Sequence, residues 1–191
     1  MSGDGNDLQY RLARVEALVD HYSRTVASAG LPGVWPVDNA GRLAVAPVPP
    51  RVQVRHGAAQ AIASAVATDL AFDIEDIDTA DMHSLVSNIG RLTCAKPGLY
   101  DVVAQVEFAP NATGSRLLGI KNGAGQVLAA TWVGATPGGG STIMQAVRHA
   151  HAMAVGDYVY AYAYQDSGAA LSVGASAPYT PRLTATRVGG A

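Results

Sequence analysis

The rhythm of apolar and polar positions changes once along the chain, near residue 30, from a helical spacing to a strand spacing. Leu8, Leu12, Val15, Val19, Tyr22 and Val26 recur at alternating intervals of four and three. That is a heptad seam, with Leu12, Val19 and Val26 at a and Leu8, Val15 and Tyr22 at d. Asp7 suits an N-cap, and Gly30, Pro32 and Gly33 end the helix. A single helix of this length is marginal in water because nucleation is costly, so its stripe must be covered. The cover is either the rest of its own chain or identical helices in a coiled coil. β-Branched Val at a favours the coiled coil, and the seam alone does not fix the number of strands.

Residues 30–49 are rich in Pro and Gly and read as a stiff, extended connector. Trp35 is unusual in such a segment, and an aromatic there points to anchoring, against its own domain or against a partner surface. Residues 50–191 read as short strands divided by turns. Val52 and Val54 alternate, and residues 62–72 are predicted extended, with Ile62, Val66, Leu70 and Phe72 on one face. Residues 73–81 form an acidic connector. Residues 91–93 enter a Pro97-Gly98 turn and leave as a second strand whose apolar side chains are Leu99, Val102, Val103 and Val106. Strands follow at 116–121, turning at Asn122-Gly123 into 126–133, and at 142–154, 158–165, 171–175 and 182–188. Eight to ten short strands at this spacing predict an all-β antiparallel sandwich or barrel.

Composition removes several functions. The chain of 191 residues is 49% hydrophobic with a formal net charge of -2, so it can bury a core and offers no basic footprint for nucleic acid or anionic membrane. One cysteine, Cys94, excludes an internal disulfide. No apolar run is long enough to span a bilayer and the acidic N-terminus lacks the pattern of a secretory signal, so a soluble product made in a cytoplasm is expected. Asn111-Ala-Thr113 then reads as a turn rather than a glycosylation site.

No chemical constellation stands out. There is no Gly-x-Ser-x-Gly turn, phosphate loop, dinucleotide fingerprint or His-Glu-x-x-His motif, so no catalytic residue and no cofactor are expected. His149 and His151, two apart on a predicted strand, should point the same way, and a solvated face is the expected role rather than a metal site. His83 reads as a hydrogen-bonded structural histidine. Asp73, Glu75, Asp76, Asp78 and Asp81 miss the spacing of a calcium loop and read as solvated. Tyr158, Tyr160, Tyr162 and Tyr164 alternate with Val159, Ala161 and Ala163, giving one tyrosine face and one small apolar face.

Several short motifs in order carry a family resemblance. They are Pro50-Arg-Val-Gln-Val54, Leu70-Ala-Phe-Asp73, Asp78-Thr79, Met82-His83-Ser84, Arg91-Leu-Thr93, Pro97-Gly-Leu-Tyr100, Asn111-Ala-Thr-Gly114, Asn122-Gly123, Gly156-Asp-Tyr-Val159, Tyr164-Gln165, Ser167-Gly168 and Val188-Gly189. Over residues 50–190 the chain resembles bacterial and phage C1q/TNF-like domains, although the aromatic that ends that family's last strand is replaced around Thr184–Thr186. The resemblance implies a jelly-roll sandwich that assembles as a homotrimer, often behind a coiled coil or a collagen-like stalk. In that arrangement Val159, Ala161 and Ala163 face the sandwich interior, while Tyr160 and Tyr162 face neighbouring subunits. It further implies a structural virion protein on the surface of a phage particle, with capsid or other virion proteins as partners. A capsid decoration or head-fibre protein anchored by residues 1–49 is favoured. The alternative is an adhesin recognising host glycan or protein through loops 135–141 and 167–170.

Overall fold

The computed structural model describes residues 14–18, 48–174 and 179–190. The chain divides into two units, Met1–Val48 and Pro49–Ala191. In the first, residues 14–18 are helical, with Val15 and Leu18 more than half exposed. Leu8, Leu12, Val19, Tyr22, Val26 and Trp35 lie outside the described residues.

Among the described residues the second unit contains twelve strands: β1 (Arg51–Arg55), β2 (Gln60–Ile62), β3 (Thr68–Asp69), β4 (Ile74–Asp78), β5 (Arg91–Thr93), β6 (Gly98–Phe108), β7 (Ser115–Asn122), β8 (Val127–Gly134), β9 (Thr142–Met153), β10 (Tyr158–Gln165), β11 (Leu171–Val173) and β12 (Arg182–Gly189). All strand pairings are antiparallel. A seven-stranded sheet is organised by β6, which pairs with β9 along one side and with β12 and β11 along the other; β1 and β4 follow β12, and β2 follows β11. The second sheet runs β3, β10, β7, β8, with β5 also on β10. The two sheets meet where β8 faces β9, and the Thr131 hydroxyl donates to the Gln145 carbonyl at 2.5 Å.

Strict alternation builds the core. In β6, Tyr100, Val102, Ala104, Val106 and Phe108 are buried, as are Val52 and Val54 of β1, Leu118 and Ile120 of β7, and Val159, Ala161 and Ala163 of β10. A period of two sends alternate side chains to opposite faces, so these strands interdigitate between the sheets. The apolar set of β6 differs from the expected one. Leu99 and Val103 lie half-buried on the other face of the sheet, because Tyr100, Ala104 and Phe108 share parity with Val102 and Val106.

Three other expectations are corrected. Pro97-Gly98 does not close a hairpin, because β5 pairs with β10 in one sheet and β6 belongs to the other. Beyond β5 the chain is tied to the β9–β10 turn: the Cys94 amide donates to the Asp157 carbonyl (2.7 Å) and the Cys94 carbonyl accepts from the Gly156 amide (2.9 Å). Turn chemistry bends the chain locally and leaves open which sheet receives it. Residues 62–72 are not one strand. Ala65 adopts a positive φ of 60° beside a bridge from Ser64 to Gln165, and the phase break turns Val66 outward while Ile62, Leu70 and Phe72 stay buried. The acidic connector is mostly strand β4, paired with β1 across a bulge.

The β7–β8 hairpin forms where Asn122-Gly123 placed it, over a longer loop than a two-residue turn. The Asn122 side-chain oxygen accepts from the amides of Ala124 (3.2 Å) and Gln126 (2.9 Å), and Gly125, at φ 78°, supplies the left-handed position.

Candidate functional site

The most distinctive surface is the outer face of the five-stranded sheet, built on β10. Because Val159, Ala161 and Ala163 turn inward, Tyr158, Tyr160, Tyr162 and Tyr164 must turn outward. Strand register sets their neighbours. Leu117 lies between Tyr164 and Trp132, Gly119 lies between Tyr162 and Ala130, and Lys121 and Arg91 flank Tyr160 on opposite sides. Trp132 stands out at 63% exposure, its ring centroid 6.0 Å from that of Tyr164.

The tyrosines are not equivalent. Tyr162 lies flat over Gly119, where an added Cβ would run into the ring, and the Lys121 ammonium sits 4.1 Å from its centroid. Only 7% of Tyr162 is exposed, and burial raises its hydroxyl pKa. Tyr158 donates to the Gly123 carbonyl at 3.2 Å and carries the Arg91 guanidinium 4.5 Å from its ring centroid. Tyr160, with its centroid 6.3 Å from that of Tyr158, has its pKa raised by burial first and then by the nearby Asp69 carboxylate.

Beside these rings, β10 changes partner from β3 to β5, and the chain between them leaves a cleft of about 430 Å³. It is lined by Tyr158, Tyr160, Asp69, Asn88 and Arg91 and by residues 70–71 and 89–90 of the connecting backbone. That backbone is fixed: the Leu70 amide donates to Ala161 (2.9 Å), the Phe72 amide to Ile89 (3.1 Å) and the Arg91 amide to Asn88 (3.1 Å). Sequence reading found the tyrosines and missed Asp69, Arg91 and Trp132, which reach this face only through strand pairing, and Asn88, which comes from the loop before β5.

The other candidates are resolved one by one. His149 and His151 do not point the same way. A bulge, with Ala150 at φ 48°, puts Arg148 opposite Val102 and His151 opposite Tyr100, so one extra residue breaks the alternation. His149 faces outward to Asp101, Nδ1 to Oδ2 3.3 Å, while His151 lies on the inner side, where burial first and Arg148 second lower its pKa. His83 is buried, with Nδ1 2.8 Å from Glu75 and Nε2 3.0 Å from the Ile89 carbonyl, joining β4 to the loop before β5. The acidic residues have separate partners: Asp73 accepts from the Gly57 amide, Asp76 from Arg55, and Asp78 from the amides of Ala80 and His83. Among the described residues no group of three or more His, Cys, Asp or Glu could hold a metal ion. Cys94 is buried, and Asn111 accepts from the Thr113 amide at 2.7 Å, forming the expected turn.

Sequence gave no warning of Arg116, a fully buried arginine where the loops after β6, β8 and β10 meet. It donates to the carbonyls of Ser115 (2.8 Å), Thr113 (3.0 Å) and Asn111 (3.3 Å) and lies 5.9 Å from the Phe108 ring centroid. Burial lowers its pKa against the opposing pull of Asp166. Its work is to tie loop carbonyls together, since Asp166 itself is engaged by the Ser115 amide and hydroxyl. The loops at this end, 135–141 and 167–170, present only Ala, Thr, Pro, Gly and Ser.

The outer face of the seven-stranded sheet differs. On β9, Ile143, 49% exposed, stands opposite Glu107, and Val147, 38% exposed, stands opposite half-buried Val103 of β6, with the Gln105–Gln145 pair between them and Thr184 of β12 on the far side of Val103.

No family model matches the chain, and no match was found among curated proteins. Among solved structures it is similar to murine APRIL, with TM-score 0.56 and 11% identity over 73% of this chain and 99% of that one. It is also similar to PRD1 vertex protein P5, with TM-score 0.51 and 20% identity over 75% and 99% of the respective chains. Eiger TNF from S. frugiperda matches at TM-score 0.45 and 12% identity over 75% and 94%. The first two likenesses establish a TNF/C1q-like jelly-roll fold.

Proposed function

We propose that the chain is a structural protein of a phage particle acting as a homotrimer, a capsid decoration or head-fibre protein anchored by residues 1–49 with the jelly roll projecting outward. The observation that carries this reading is the jelly roll's likeness in fold to PRD1 vertex protein P5, together with the heptad pattern that precedes it. The resemblance to C1q/TNF-like domains supports the trimer. Tyr162 has little surface left for a neighbour, so in this reading the copies meet through the outer face of the seven-stranded sheet around the facing pair Val147 and Val103, with Ile143 further along β9. Among the described residues no helix is long and apolar enough to cross a membrane. No catalytic constellation is part of this reading.

Light scattering on the full chain tests it. The expected mass is three times 19.6 kDa, and a monomer overturns the proposal. Particles should lose the protein when residues 1–49 are removed. A second reading, an adhesin that recognises a host surface, is favoured by one observation: the cleft of mixed aromatic and polar walls beside Tyr160.

A further inference from the structure

Of the four tyrosines in the row on β10, the two that flank Tyr160 already carry a cation, Arg91 over Tyr158 and Lys121 over Tyr162. Among the described residues no cation lies over Tyr160, between them, and Tyr160 is a wall of the 430 Å³ cleft with Asp69, Asn88 and Arg91. We propose that this cleft binds a neutral pyranose sugar, with Tyr160 stacking on the ring and Asp69, Asn88 and Arg91 reading its hydroxyls. The proposal deepens the adhesin reading by naming the ligand class and the place.

The walls favour that chemistry over its competitors. A pyranose has a face of C–H bonds, which suits an aromatic ring, and a rim of hydroxyls that both donate and accept. Asp69 only accepts, Arg91 only donates, and the Asn88 amide does both, so a hydroxyl-bearing ligand satisfies all three. One carboxylate and one guanidinium in the same wall oppose each other, so a ligand of either net charge gains from one and loses to the other. Stacking of Arg91 on Tyr158 holds the guanidinium in place before any ligand arrives, which lowers the ordering cost of binding. The volume falls within the roughly 300–1,000 Å³ usual for small-ligand clefts. Loops 135–141 and 167–170, at the other end of β10, carry no aromatic or charged side chain to compete for this role.

The test titrates the full chain with neutral disaccharides ending in glucose, galactose or N-acetylhexosamine, followed by calorimetry. Binding with a dissociation constant of about 1 mM or tighter is expected for at least one. Tyr160→Ala and Asp69→Asn should each weaken it at least about tenfold, the equivalent of ~1.4 kcal/mol. Tyr160→Phe, which keeps the ring, should retain it, and melting curves confirm that each variant is folded. The inference is overturned if no neutral disaccharide binds, if only charged saccharides bind, or if both weakening variants bind like the parent chain. Cell binding by the chain that the bound disaccharide competes away supports the inference. Cell binding that persists against the sugar overturns it and leaves the adhesin reading standing.

Discussion

The two sheets share one core and turn opposite kinds of surface outward. Along β6 and β9 the seven-stranded sheet shows Ile143, Val147 and Val103 around the Gln105–Gln145 pair, joined at 3.2 Å, with Glu107 at one end and the Asp101–His149 pair at the other. The five-stranded sheet shows rings and cations that satisfy one another, Arg91 with Tyr158, Lys121 with Tyr162, and Trp132 with Tyr164. A low aliphatic face gains only by being covered, which suits a second flat surface. On the aromatic face Tyr158 and Tyr162 already carry cations, while Tyr160 and the 63%-exposed Trp132 stay open. What decides how much a ring can offer a partner is how much of it its own neighbours already cover.

The comparison can be broken from its foundation outward. Phe108→Ala removes a fully buried ring beneath both sheets and should cost about 3–5 kcal/mol, read from denaturant unfolding; a cost below ~1 kcal/mol would mean the core is not shared as described. Gly119→Ala drives a methyl into the Tyr162 ring and should cost about 1–3 kcal/mol while exposing that ring to solvent, visible in tyrosine fluorescence quenching. An unchanged stability would show that Tyr162 does not lie on Gly119. Val147→Asp on the opposite sheet should move stability by no more than about 0.5 kcal/mol, yet lower the oligomeric mass by light scattering. If the mass stays the same, the aliphatic patch is not where copies meet.

The smallest effect is an acid one. The Gly57 amide above all, with His56 adding to it, holds the Asp73 carboxyl below its ordinary value of 3.8. The Ser115 amide likewise holds Asp166 below 3.8. A carboxyl depressed in the folded state stabilises above its unfolded value, and that contribution fades as pH falls through the folded value. Stability should therefore decline below about pH 4, and Asp73→Asn should flatten that decline in thermal melts across the acid range. An acid profile identical to that of the parent chain would remove Asp73 from the account.

Much of the fold was legible where local pattern and burial agree. The alternation of β10 divided a tyrosine face from a small apolar face, leaving burial to decide that Val159, Ala161 and Ala163 take the core, and Asn122-Gly123 marked the β7–β8 hairpin. The candidate site was legible only in part. Tyr160 is visible in the alternation, but Asp69 and Arg91 come from two short strands far away in sequence that both pair with β10. His149 and His151 were misjudged because one bulge at Ala150 shifts the phase of every residue beyond it. Arg116 was invisible because its partners are loop carbonyls, which every sequence has, and only their convergence makes a buried cation tolerable.

By itself the sequence determined the strand class, the alternation of β1 and β10 and the lack of any recognisable catalytic motif, since periodicity and turn residues act over a few neighbours. The tertiary structure alone decided that β5 and β6 part into different sheets, that Tyr162 is spent on Gly119 and Lys121, and that Tyr160 opens onto a cleft. Those outcomes depend on which strands lie side by side, and the pairing of distant strands is fixed by how the whole core closes rather than by any local stretch.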